Sequence, residues 1–179
     1  AGAALTKHPG ISRISFTGSV PTAKIIAKAA AENLTPISFE LGGKSPLIVL
    51  EDADLDLAST LAVEQYDNAG QVCLSGTRLL VHQKVADKFA ELFIEKAKKI
   101  RQGDPRIDET QIGPQIHLDH FTRIAGFVER AKKEGANVVL GGQPNKELGG
   151  LFYQPTLVMN PKKNSEIFRE EVFGPVLCL

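Results

Sequence analysis

The strongest constraint on the fold is the alternation of short apolar runs with longer segments of helical periodicity. Residues 46–50 form a continuous apolar run, as expected for a strand that is buried on both faces. Residues 85–100 and 117–133 place apolar side chains at helical spacing, and Gly135 follows the second of these helices. Because strands and helices alternate along the whole chain, the sequence predicts an α/β fold.

The first forty residues predict a β-α-β unit with parallel strands. Residues 11–16 and 36–40 have strand character, Thr17-Gly18-Ser19 is expected to form a turn, and Pro21 suits the first turn of the helix between the strands. The inward face of this helix is expected to consist of Ala23, Ile25, Ile26, Ala29 and Ala30.

Further strands and one capped helix are expected beyond residue 50. The predicted strands are residues 78–82, 136–140, 155–158 and 176 onward, with a short helical turn at residues 165–168. Either Asp52 or Asp54 can cap a helix that we expect to extend to about Asn68.

The composition excludes several classes of function. The chain has 179 residues and equal numbers of basic and acidic side chains, 21 of each, so no basic surplus indicates a nucleic-acid partner. No segment approaches the ~18 consecutive apolar residues of a membrane span. Two cysteines make no disulfide framework, which favours a reducing compartment, and we expect a cytoplasmic protein. The final six residues resemble a strand that is just beginning, which indicates a fragment of a longer protein.

Cys73 and Glu40 are the strongest candidates for catalytic residues. Cys73 lies in a turn of small residues, which favours exposure over packing. Glu40 precedes Gly42-Gly43, so a nucleophile and a general base are one interpretation. The alternatives are that Cys73 is a small buried apolar residue and that Glu40 is a solvated strand end. The residue types alone leave both alternatives open.

Other side chains have simpler expected roles. Cys178 is expected in a buried strand, and Lys44 is expected to form a surface salt bridge. Tyr66 and Asp67 can either line a substrate passage or pack against a helix. The four histidines are scattered, so no metal site is predicted, and His117 and His120 are expected to be solvated.

Four motifs, in this order along the chain, resemble signatures of the aldehyde dehydrogenase superfamily. They are Phe16-Thr17-Gly18-Ser19, Glu40-Leu41-Gly42-Gly43-Lys44-Ser45-Pro46, Gly70-Gln71-Val72-Cys73 and Glu170-Glu171-Val172-Phe173-Gly174-Pro175-Val176. The resemblance covers nearly the whole chain and implies the middle of such an enzyme, close to its semialdehyde dehydrogenase branch. Residues 1–43 would end a Rossmann-like cofactor domain, and residues 44–179 would form most of an α/β/α catalytic domain.

The resemblance also implies roles for individual residues. Cys73 would be the nucleophile that attacks the aldehyde, and Glu40 would activate the water that hydrolyses the resulting thioester. Five residues would contact the cofactor, NAD or NADP: Gly18, Ser19, Leu41, Glu171 and Phe173.

The implied reaction is oxidation of a small aldehyde to a carboxylic acid through a thiohemiacetal and a thioester on Cys73. The complete protein is expected to be a homo-oligomer, either a dimer or a tetramer. Because further cofactor-binding residues are expected outside the chain, residues 1–179 alone are expected to be a poor enzyme. The alternative is a truncated, catalytically silent subunit or assembly module of such an enzyme.

Overall fold

A short helix and a β-α-β arrangement make up residues 1–43 of the computed structural model, which describes residues 1–179. The elements are α1 (Gly2–Lys7), β1 (Ile14–Gly18), α2 (Val20–Ala31) and β2 (Ile37–Leu41). β1 and β2 pair in parallel, so the expected β-α-β unit is confirmed. Residues 44–179 form a second compact unit. The cofactor-binding and catalytic roles assigned to these two parts of the chain stay predictions.

Two details of the first unit differ from expectation. β1 starts at Ile14 rather than at residue 11 and includes Gly18, so the predicted turn is reduced to Ser19, the residue before α2. Ile25, expected on the inward face of α2, is 69% exposed, whereas the other four predicted residues are buried. Ile25 is exposed because it lies about 100° around the helix from Ile26, outside the arc that contacts the sheet.

The second unit contains one five-stranded sheet and four α-helices. The strands are β3 (Pro46–Val49), β4 (Arg78–Val81), β5 (Asn137–Leu140), β6 (Thr156–Met159) and β7 (Val176–Cys178). The helices are α3 (Leu55–Val63), α4 (Ala86–Ala97), α5 (Leu118–Lys133) and α6 (Glu166–Arg169). The α/β class predicted from the sequence is confirmed.

The strand order of this sheet is β3-β4-β7-β6-β5. All pairs are parallel except β5 with β6, which is antiparallel. β3 is therefore an edge strand, and the expectation that it is buried on both faces was wrong. Val49 is buried on the face that packs against the apolar core, whereas Ile48 on the opposite face is 64% exposed.

Local signals explain where the helices begin. Asp54 caps α3, because its Oδ1 accepts hydrogen bonds from the backbone N–H groups of Asp56 (3.0 Å) and Leu57 (3.1 Å). α3 does not extend to Asn68 as expected; it ends at Val63, and a 3₁₀ segment, Glu64–Gly70, follows.

Two apolar clusters stabilise the second unit. One includes Tyr66, Phe89 and Phe93, and the other includes Ile124 and Val128 of α5. All five side chains are fully buried, which is the largest favourable contribution to folding of such a unit. No helix is long and apolar enough to cross a bilayer.

Candidate active site

The loop that carries Cys73 begins with an unusual backbone. Asn68, Ala69 and Gly70 have φ angles of +49°, +57° and +72°, so three consecutive residues are left-handed. Such a conformation costs about 1 kcal/mol or more for each residue that is not glycine, and it is concentrated at functional sites. The side chains of Asn68 and Gln71 each donate to the other's backbone carbonyl, at 3.1 and 3.0 Å, and these bonds hold the turn. We call residues 68–77 the thiol loop.

The thiol loop lies in direct contact with the backbone of residues 174 and 175. A Cβ on Gly70 would lie 2.6 Å from the backbone nitrogen of Pro175 and closer still to the carbonyl of Gly174. Only glycine fits at this position, because it combines a positive φ with the absence of a side chain.

The residues just before α5 also hold the thiol loop. Nε2 of the buried Gln115 donates to the carbonyl of Ala69 at 3.1 Å. The backbone N–H of Ile116 donates to Oε1 of Gln71 at 3.0 Å. The loop is therefore anchored within its left-handed turn, at Ala69, and just after it, at Gln71.

Cys73 is exposed at the tip of this loop, as the sequence predicts. Its backbone N–H has no hydrogen-bond partner, so it can donate to an oxygen that develops negative charge beside the sulfur. Cys178 is the opposite case, because it is fully buried in β7, and burial raises the pKa of its thiol to about 11. Exposure and a free backbone donor thus single out Cys73 as the thiol equipped for chemistry.

A cavity of about 550 Å³ lies next to the thiol loop. Its lining includes Asp67 and both chain neighbours of Cys73, Val72 and Leu74. Tyr66 forms part of the wall, but it is fully buried and its hydroxyl donates to the carbonyl of Thr156 at 2.8 Å. Of the two roles considered for Tyr66 and Asp67, packing therefore describes Tyr66, whereas Asp67 lines the cavity. A larger cavity of about 750 Å³, among α1, β1 and α2, contains none of the predicted site residues.

Glu171 and Phe173 lie in a segment that follows α6 and contacts the thiol loop through Gly174. We call residues 171–174 the cofactor segment, after the cofactor contacts that the family resemblance implies for Glu171 and Phe173. Both predicted side chains are half-buried, and Phe173 has a left-handed φ of +58°. The Phe173 ring stands edge to face with the His120 ring, with centroids 5.8 Å apart.

Two residues near this segment differ from expectation. The Lys44 ammonium is buried without a hydrogen-bond partner instead of forming a surface salt bridge, and burial lowers its pKa. His120 is partly buried rather than solvated, and its Nε2 lies 2.6 Å from the carbonyl oxygen of Phe173. Desolvation lowers the pKa of His120, which favours the neutral ring. His117 is exposed as expected and caps α5 through a hydrogen bond from the backbone N–H of His120 to its Nδ1 (3.2 Å).

The remaining predicted residues gather at one edge of the first unit. Gly18 ends β1 and pairs in register with Leu41, which ends β2 next to Glu40. Ligands of parallel α/β sheets bind at this carboxyl edge. Ser19 is the N-cap residue of the twelve-residue helix α2, and its Oγ lies 3.0 Å from Thr22 Oγ1. The exposed start of α2 presents backbone N–H groups that suit an anion such as a pyrophosphate.

The structure thus brings the predicted site residues together in two groups. Gly18, Ser19, Glu40 and Leu41 share an edge of the first unit, and Cys73 shares one region of the second unit with Glu171 and Phe173. Glu40 is exposed. No group of three or more His, Cys, Asp or Glu side chains is arranged to hold a metal ion.

Comparison with known proteins identifies relatives over the whole chain. The pattern of the aldehyde dehydrogenase family matches residues 1–179. A chloroplastic aminoaldehyde dehydrogenase, ALDH10A8, of Arabidopsis thaliana is 42% identical over 100% of this chain. A probable betaine aldehyde dehydrogenase of Schizosaccharomyces pombe is 42% identical over 99% of it. The chain spans 36% of the length of each of these relatives.

A solved structure is also similar to this chain in both sequence and fold. The betaine aldehyde dehydrogenase (betB) of Staphylococcus aureus, solved in complex with NAD+, is 40% identical and superposes with a TM-score of 0.95. The match covers 99% of this chain and 36% of that protein.

Proposed function

Because this chain belongs to the aldehyde dehydrogenase family, we propose that it contributes the catalytic thiol and part of the cofactor site to an enzyme that oxidises an aldehyde to a carboxylic acid. The observation that carries the proposal is the structural setting of Cys73. It is exposed at the tip of a strained and well-anchored loop, beside a cavity, and its backbone N–H is free.

The first step is attack of the Cys73 thiolate on the aldehyde carbon. The thiolate, and not the thiol, is the nucleophile, and attack converts the carbonyl into a thiohemiacetal alkoxide. The backbone N–H of Cys73 would donate to this oxygen, because the alkoxide forms on the carbon that is bonded to the Cys73 sulfur. Hydride loss from the alkoxide then leaves a thioester on Cys73.

The hydride acceptor is NAD(P)+, which supplies the redox chemistry when it is bound. Gly18 and Ser19 would hold its pyrophosphate, since they stand at the exposed start of α2. Glu171 would bind the nicotinamide ribose, and the half-buried Phe173 ring would flank that part of the cofactor. Leu41, at the end of β2, would contact the cofactor at the same sheet edge as Gly18.

Glu40 acts in a later step as the general base. The thioester on Cys73 needs an activated water, and the Glu40 carboxylate has the chemistry to take its proton. Glu40 is the residue before the last of β2, close to Gly42-Gly43, and it is exposed, so water reaches it. Hydrolysis, rather than acyl transfer to coenzyme A, is therefore the proposed release step.

The substrate class follows from the names of the relatives. They are named for amino aldehydes and betaine aldehyde, so we propose an aldehyde that carries an amino or trimethylammonium group. This class differs from the semialdehydes that the resemblance to the semialdehyde dehydrogenase branch implies. The related betaine aldehyde dehydrogenase was solved with NAD+, which favours NAD over NADP. The homo-oligomer and the cytoplasmic location stay predictions.

A catalytically silent subunit of such an enzyme is the alternative function. An aldehyde-mimicking electrophile distinguishes the two functions. A catalytic chain reacts selectively at Cys73, whereas a silent one labels Cys73 no faster than an ordinary exposed thiol.

A turnover assay tests the proposed function directly. The longest natural polypeptide that contains residues 1–179 is mixed with NAD+ and betaine aldehyde or 4-aminobutyraldehyde, and the absorbance of reduced cofactor at 340 nm is followed. Cys73→Ser is expected to abolish turnover, and Cys178→Ser, which changes the buried thiol, is the matched control. Wild-type turnover in Cys73→Ser would exclude the nucleophile role.

A further inference from the structure

Helix α5 holds the cofactor segment by its backbone. Arg123 donates from Nη2 to the carbonyl of Glu171 and from Nη1 to that of Val172, both at 2.7 Å. His120 Nε2 lies 2.6 Å from the next carbonyl, that of Phe173, and must carry the proton because a carbonyl only accepts. Two side chains one helical turn apart therefore bind three consecutive carbonyls.

We propose that Arg123 and His120 are positioning residues that fix the cofactor segment in the conformation that binds the nicotinamide side of NAD(P). The inference rests on the proposed function, because it takes Glu171 and Phe173 as cofactor contacts. Arg123 and His120 would act indirectly, by binding the backbone carbonyls of the segment that carries Glu171 and Phe173.

Arg123 is preorganised for this task. Its guanidinium lies over the ring of Phe127, 4.8 Å from the ring centroid, and this contact orients the planar fork. A fork can donate two parallel bonds to two neighbouring carbonyls, which the single ammonium of lysine cannot do with the same geometry. Arginine at this position is thus used for its shape as well as its charge.

The segment needs such support because its backbone is strained. Phe173 is left-handed although it is not glycine, and such a residue persists only where its surroundings over-determine the conformation. His120 supplies two constraints, the bond to the Phe173 carbonyl and the edge-to-face contact with the Phe173 ring. Without them, the ring is free to leave the position in which it would flank the cofactor.

The residues just before α5 also hold the thiol loop. Gln115 and Ile116, a few residues before Arg123 in the chain, bond to Ala69 and Gln71. One short stretch of chain therefore anchors both the loop that carries the nucleophile and the segment that would bind the hydride acceptor. This shared anchor would keep their spacing constant between turnovers.

The test compares Arg123→Lys with Arg130→Lys in the longest natural polypeptide that contains residues 1–179. Arg130 is a matched control, because it lies on the same helix and over the same Phe127 ring at 5.1 Å, but its guanidinium binds Glu166. Two quantities are measured: the hydrogen–deuterium exchange of the amides of residues 171–174, and the Kd and KM for NAD+. His120→Gln, which keeps an N–H donor, is compared with His120→Phe, which keeps only a ring.

We expect Arg123→Lys to accelerate exchange in the cofactor segment and to raise the Kd and KM for NAD+ about tenfold, with an unchanged KM for the aldehyde. Tenfold corresponds to about 1.4 kcal/mol. We expect His120→Phe to behave in the same way and His120→Gln to retain most of the wild-type affinity. The proposal is overturned if Arg123→Lys matches Arg130→Lys in NAD+ affinity, whether or not exchange changes. A wild-type protein that binds no NAD+ would instead refute the proposed function, and the exchange rates would still decide whether Arg123 holds the segment.

Discussion

Replacing Gly70 with alanine tests whether close packing between the thiol loop and residues 174 and 175 is needed for both stability and catalysis. The new Cβ would stand 2.6 Å from the nitrogen of Pro175 and would overlap the Gly174 carbonyl. Both obstacles are backbone atoms, so no rotamer change relieves the overlap. The thiol loop, and Cys73 with it, has to move away by about 1 Å, because non-bonded carbon and nitrogen or oxygen atoms rarely approach within about 3 Å.

The expected cost has two parts. An alanine at a φ of +72° costs about 1 kcal/mol relative to glycine. The forced shift of a packed backbone adds about 1–3 kcal/mol, the usual range for overpacking. The free energy of unfolding should therefore fall by about 2–4 kcal/mol. A displacement of about 1 Å at a catalytic group reduces the rate roughly a hundredfold.

Gly135→Ala is the matched control. Gly135 also has a positive φ, +87°, but a Cβ there would meet nothing within 4 Å. It should cost only the conformational part, about 1 kcal/mol, and leave turnover unchanged. Urea unfolding gives the stabilities, and the formation of reduced cofactor gives the rates. If Gly70→Ala is no less stable than Gly135→Ala and turns over normally, the close packing is not what positions Cys73.

Three further experiments, two substitutions and one alkylation, test separate features. Tyr66→Phe removes the buried hydrogen bond from the Tyr66 hydroxyl to the Thr156 carbonyl, so urea unfolding should show a loss of about 1 kcal/mol. Asp54→Ala removes the cap of α3 and should cost about 1 kcal/mol with unchanged turnover; an unchanged midpoint would contradict the cap. Burial raises the pKa of Cys178 from 9.0 to about 11, so its thiolate is about a hundredfold scarcer at pH 8 and increases as the pH rises toward 11. Iodoacetamide should therefore alkylate Cys73 well before Cys178 in the folded protein, and equal rates would show that Cys178 is accessible.

The elements that local chemistry specifies could be predicted from the sequence. Asp54 begins α3 because a carboxylate there accepts two backbone N–H groups, and this requires only neighbouring residues. The exposure of Cys73 follows from a turn of small residues. The parallel pairing of β1 with β2 follows from a strand-helix-strand pattern with a connection long enough to cross over.

The features that depend on distant contacts could not be predicted. Ile48 is as apolar as Val49, and only its place on an edge strand with one packed face decides that it is exposed. Lys44 resembles any surface lysine in the sequence, yet its ammonium is buried. In the sequence, Arg123 resembles a solvated helical side chain. Its partners are backbone carbonyls 48 and 49 residues away, and every residue has a carbonyl, so the sequence does not show which ones Arg123 binds.

The most direct test of the central claim is a trapping experiment on Glu40→Gln. The variant is mixed with NAD+ and the aldehyde, quenched with acid, digested and analysed by mass spectrometry. If Cys73 forms the thioester and Glu40 is needed only for its hydrolysis, one equivalent of reduced cofactor appears in a burst. The acyl group is then found on the peptide that contains Cys73, and steady turnover is lost. A Glu40→Gln variant that keeps the wild-type steady rate, or an acyl group absent from Cys73, would contradict the account.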